Sequence, residues 1–69
     1  MSTLMISSAI FEALNNKGSL EFDELYKMVQ KIHNDINQND FNKILMEMEI
    51  QGLIRVSKLT RNKRRIEAV

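Results

Sequence analysis

Apolar residues recur at helical spacing near the start of the chain. Ile6, Ala9, Ile10, Ala13 and Leu14 share one face of a segment running from about Thr3 to Asn16, because a period of about 3.6 residues stacks positions i, i+3, i+4 and i+7. The pattern predicts an amphipathic helix that closes at Asn15-Asn16-Lys17-Gly18. There a glycine accepts the left-handed conformation, and lysine suits the negative end of the helix dipole. Leu25, Met28, Val29 and Ile32 repeat the spacing and predict a second helix from about Glu24 to Ile32, with Asp23 offering a capping oxygen. The intervening Ser19-Leu20-Glu21-Phe22 is long enough only for a bridge or a single strand pairing. His33-Asn34-Asp35 breaks the pattern with turn-forming residues. A third helix is expected from Asn39 or Asp40 to Gln51, with Phe41, Ile44, Leu45 and Met48 inward and Gly52 just past its end.

Beyond Gly52 the period changes to two. Ile54 and Val56 alternate with Arg55 and Ser57, and Ile66 and Ala68 alternate with Arg65 and Glu67, as in strands that bury one face. Thr60-Arg61-Asn62-Lys63 separates the two runs. Asn62 tolerates a positive φ, so the pair is expected to form a β-hairpin with a short cationic tip.

The length of 69 residues allows one domain, Met1–Val69, which buries only about 60% of the surface of its unfolded chain. Hydrophobic residues make up 43% and charged residues 28%, a balance for a folded domain rather than a disordered tail. The absence of cysteine excludes disulfides and thiolate metal sites and fits a reducing compartment. No apolar run approaches the roughly 20 residues of a membrane span, and Met1-Ser2-Thr3-Leu4 lacks the basic start of a secretory signal. A cytoplasmic location and no membrane partner are therefore expected.

Charge is unevenly distributed. Met1–Ile54 carries four basic against eight acidic residues, net −4, whereas Arg55–Val69 carries six against one, net +5. A one-sided cationic segment is the usual electrostatic footprint of phosphate binding.

The run from Ile36-Asn37-Gln38-Asn39-Asp40-Phe41 through Met48-Glu49-Ile50-Gln51-Gly52-Leu53-Ile54 resembles the turn, recognition helix and apolar-x-x-x-Gly-Leu-Ile exit of the winged helix-turn-helix superfamily. With its flanking elements, the resemblance extends over essentially the whole chain. It implies an α+β fold, a small winged helix of three helices followed by a C-terminal β-hairpin wing. Proteins of this superfamily serve as bacterial and archaeal repressors, as basal transcription factor and polymerase-subunit domains, and as protein-binding modules. The turn between the second and third helices is lengthened through Lys31-Ile32-His33-Asn34-Asp35, which looks more like the archaeal and eukaryotic-type members.

The resemblance implies a regulator of transcription that binds double-stranded DNA, with the third helix in the major groove and the wing on the backbone or in the minor groove. Lys58, Arg61, Lys63, Arg64 and Arg65, with Arg55, supply the cations of the wing. An edge hairpin that uses charge against aggregation is the alternative, but one or two charges suffice for that. Gln38, Asn39, Asn42 and Lys43 are expected to face outward from the third helix; the amides suit adenine edges and Lys43 suits guanine or phosphate. Met46 and Ile50 lie on the same outward side with Glu47 and Glu49, which repel phosphate, so either only the first turn of the helix inserts or this face meets a protein partner. Leu4 and Phe11, seven apart and nearly opposite the core stripe of the first helix, offer a seam for a homodimer.

His33 lacks companions for a metal site, and no serine has a plausible base. Asp23-Glu24 and Glu47–Glu49 are explained by a helix start and a solvated surface, and two isolated glycines cannot build a phosphate-binding loop. No catalytic residue, metal or cofactor is expected. The alternative to DNA binding is a protein-interaction module in a transcription or other macromolecular assembly.

Overall fold

In the computed structural model, which describes residues 3–69, the chain forms α1 (Thr3–Lys17), β1 (Ser19–Glu21), α2 (Phe22–Ile32), α3 (Gln38–Ile50), β2 (Ile54–Thr60) and β3 (Lys63–Ala68). The fold is α+β: three helices and a three-stranded antiparallel sheet in the order β1-β3-β2. Leu20 of β1 and Val56 of β2 both pair with Ile66 of the central strand β3. No helix among the described residues is long and apolar enough to cross a membrane.

The helix ends follow from local chemistry. Gly18, at φ 84°, returns its N–H to the Leu14 carbonyl at 2.7 Å and closes α1 by the single-bond left-handed motif. At the end of α3, Gly52 at φ 76° donates to Glu49 O, and the N–H of Leu53 reaches Met48 O at 2.9 Å. These are the two bonds of a Schellman motif, and they turn the chain directly into β2. The start of α2 differs from the sequence expectation. The helix begins at Phe22, not Glu24, and Glu21 occupies the N-cap, its N–H donating to Glu24 Oε1 at 3.4 Å. Asp23 lies within the first turn, where its charge suits the dipole without acting as the cap. α3 likewise starts one or two residues earlier than expected, because Asn37 Oδ1 accepts the Asp40 N–H at 2.8 Å.

One hydrophobic cluster holds the elements together. Ile6, Ile10, Ala13 and Leu14 of α1, Leu25 and Val29 of α2, Phe41, Ile44, Leu45 and Met48 of α3, and Ile54 and Ile66 of the sheet are buried, as their spacing predicts. Leu20, Phe22 and Ile36 join them. Ala9, Met28, Val56 and Ala68 pack at the margin of this core. Ile32 departs from expectation. It is the last residue of α2, the chain turns away immediately after it, and its side chain is 68% exposed. Ile36, in the connection to α3, enters the core instead.

Three aromatic rings pack between α2 and α3. Phe41 meets Phe22 edge-on and Tyr26 at a tilt, each with centroids 5.2 Å apart. The Tyr26 hydroxyl donates to Ile36 O at 3.3 Å, and Ile36 N donates to His33 O, so the lengthened turn is tied back onto α2.

The hairpin forms where expected but by another geometry. Asn62 does not adopt a positive φ, since no described residue other than glycine does. Thr60 pairs with Lys63 across Arg61-Asn62, and the register shifts between Lys58 and Thr60, leaving Leu59 as an extra residue. A two-residue turn with negative φ splays its strands. An added residue increases the local twist and lets the pairing resume.

Candidate nucleic-acid interface

The first turn of α3 and the tip of the β2–β3 hairpin lie together. Gln38, Asn39 and Asn42 from α3, Phe22 and Asp23 from the start of α2, and Asn62 and Arg64 from the hairpin line a cleft of about 270 Å³. Gln38, Asn39 and Lys43 are exposed, in agreement with their expected outward placement, whereas Asn42 is half-buried. Arg64 explains that burial: its Nη1 donates to Asn42 Oδ1 at 3.2 Å, and its guanidinium carbon sits 4.3 Å from the centroid of the Phe22 ring. Hydrogen bond and cation–π contact together hold the guanidinium at the junction of all three elements.

Strand alternation divides the cations of the hairpin between two faces of the sheet. Arg64 and Lys58 are register partners on the face that carries Val56 and Ile66 toward the helices. Arg55, Arg65 and Lys63 belong to the opposite face. There Arg55 stands across from Glu67, and Arg65 stands across from Glu21, so cross-strand acids offset both arginines. Arg65 thus lies in the hairpin with the other expected cations, but on the face turned away from the helices. Lys58, Arg61, Lys63 and Arg64, clustered at the distal end, have no acid opposite them in the register.

The rest of α3 has another character. Met46 is 54% and Ile50 79% exposed, with Glu47 and Glu49 also at the surface. Met46 and Glu49 join Leu45, Val56, Asn42 and Arg64 around a smaller groove of about 70 Å³ between α3 and the hairpin. Arg64 and Asn42 thus form the partition between a polar cleft and a more apolar one.

Leu4 and Phe11 do not form one free stripe. Leu4 is 77% exposed, but Phe11 packs against the core. The two sit seven residues apart, yet Phe11 is only about 60° around the helix from Leu14, and its large ring reaches the margin of the core stripe.

Phe22 is a site residue that sequence reasoning misses, because it directly follows the short strand segment and reads as its end. Its spacing from Tyr26, Leu25 and Val29 is helical and extends the second apolar set by one turn toward the N-terminus. The Arg64–Asn42 contact spans 22 positions between elements of different period, and no local pattern announces it.

Comparison with known protein families, with curated proteins and with solved structures finds no match.

Proposed function

We propose that this chain is a winged-helix domain that binds double-stranded DNA as a regulator of transcription, and that it is not an enzyme. The first turn of α3 enters the major groove, and the hairpin serves as the wing on the flanking backbone or minor groove. The observation that supports this reading best is the cleft that joins Gln38, Asn39 and Asn42 to the hairpin tip. It sets the exposed amides of Gln38 and Asn39, which are capable of reading base edges, beside Asn62 and Arg64 of a hairpin whose tip also carries Lys58, Arg61 and Lys63. Insertion is limited to that first turn, because Glu47 and Glu49 on the later turns repel phosphate.

The test is a titration of mixed-sequence duplex DNA at several salt concentrations, comparing the parent with a variant carrying Lys58→Gln, Arg61→Gln and Lys63→Gln. Removing one cation from a phosphate reduces the slope of log affinity against log salt by about 0.9, so the triple variant should have a slope smaller by about 2 to 3. Equal affinity and slope in the two proteins, or no binding by the parent at low salt, defeats the DNA reading.

A second reading has its own support. Exposed Met46 and Ile50, beside the apolar groove at Leu45 and Val56, favour a protein partner on the later turns of α3. In that case the domain serves an assembly, and Met46→Glu abolishes partner binding while the hairpin variants do not.

A further inference from the structure

We infer that Arg64 is a positioning residue rather than a phosphate contact, and that Asn42 is its anchor rather than a reader of bases. The consequence for binding rests on the DNA reading above; the contact itself does not. From Lys58 through Lys63 every residue is exposed, and Arg64 is the first on the returning strand that is partly buried. A two-stranded hairpin extending past its core is only marginally ordered unless something ties it down. Arg64 supplies that tie by joining three elements at once: β3 by its backbone, α3 through Asn42 Oδ1 at 3.2 Å, and α2 through the Phe22 ring at 4.3 Å. The delocalised guanidinium makes both contacts possible together, since Nη1 donates to Asn42 while the central carbon lies over the Phe22 ring.

The commitment of Asn42 follows from its chemistry. Paired recognition of adenine requires the side-chain oxygen as acceptor and the nitrogen as donor toward one base. Here the oxygen accepts from Arg64, and the residue is half-buried beneath it. Gln38 and Asn39, exposed on the same turn, remain as the base-reading pair. Holding the hairpin at a fixed angle to them reduces the ordering required on binding, so the tie raises affinity for every sequence alike.

The experiment has two arms, each with thermal melts to establish that the variants fold. In the free protein, the Arg64 side-chain protons should show upfield ring-current shifts in NMR spectra, and Asn42→Ala and Arg64→Lys should return the residue-64 side-chain protons to ordinary values. Unshifted Arg64 protons in the parent overturn the proposal whether or not the protein binds DNA. In titrations with duplexes of several sequences, Asn42→Ala and Arg64→Lys should each weaken binding by about three- to tenfold. The ranking of sequences and the salt slope should stay unchanged. A changed ranking in Asn42→Ala would make Asn42 a base reader. Parental affinity in Arg64→Lys, with a slope lower by about 0.9 in Arg64→Gln, would make Arg64 a phosphate contact. Either result overturns the proposal. A parent that binds no duplex defeats the DNA reading alone, and the shifts in the free protein then decide the tie.

Discussion

Replacing Phe41 by leucine probes the aromatic contact between α2 and α3. Phe41 is 0% exposed and contacts the rings of both Phe22 and Tyr26 at 5.2 Å. Leucine keeps the site apolar and fills most of the volume, so the main loss is the two ring pairs. Each pair contributes about 0.5–1.5 kcal/mol beyond area burial, giving a loss of roughly 1–3 kcal/mol. For a domain of 69 residues the total stability is on the order of 3–10 kcal/mol. The substitution should leave a folded but weakened protein. A domain of this size loses about 4–8 °C of melting temperature per kcal/mol, so circular dichroism should record a fall of roughly 5–20 °C with a cooperative transition. Because Tyr26 packs against the Phe41 ring, near-ultraviolet signals of Tyr26 should change in the folded variant. A melting temperature within a degree or two of the parent, with Tyr26 signals unaltered, refutes the claim that the aromatic trio holds the two helices.

Three further outcomes bear on the surfaces. Lys58→Gln, on the face shared with Arg64, should lower the salt slope of DNA binding by about 0.9, whereas Arg65→Gln, on the opposite face and across from Glu21, should lower it by less than half as much; equal reductions would place the nucleic acid against the outer face of the sheet as well. Asp23→Asn removes a negative charge from the cleft and should tighten binding to all duplexes by about two- to fivefold; unchanged affinity in the same titration means that the backbone does not pass this cleft. Leu4→Glu, at a 77% exposed position, should melt like the parent; a melting temperature several degrees lower means that Leu4 packs against the core.

The helices are legible in the sequence because each buries a single stripe. Ile6 to Leu14, Leu25 to Val29 and Phe41 to Met48 repeat at helical spacing, and Gly18 and Gly52 stop their helices at positive φ. The departures fall where tertiary contact overrides local pattern. Ile32 continues the apolar spacing of α2, but it stands where the chain departs, whereas Ile36, outside any helix, is drawn inward. The cap of α2 is hard to place from sequence, because an aspartate before an apolar set is a commoner local solution than the glutamate pair Glu21 and Glu24 that straddles it. Asn62 is suited to a positive φ that the extra residue at Leu59 makes unnecessary. At the candidate site, charge content is visible in composition, but its division is not. Which arginines face Glu21 and Glu67, and which one lies on Phe22, depends on strand register and on the packing of α2.

Every strand pair in the sheet includes β3, the last element described. During synthesis the three helices and two of the strands emerge before either strand has anything to pair with. β1 must wait for residues more than forty positions downstream, and closing so long a loop is entropically slow. Until then the apolar sides of Leu20, Ile54 and Val56 stay uncovered by Ile66. Arrival of Ile66 gives both strands their partner and covers the sheet side of the core at one stroke, so the sheet should form as one late event rather than strand by strand.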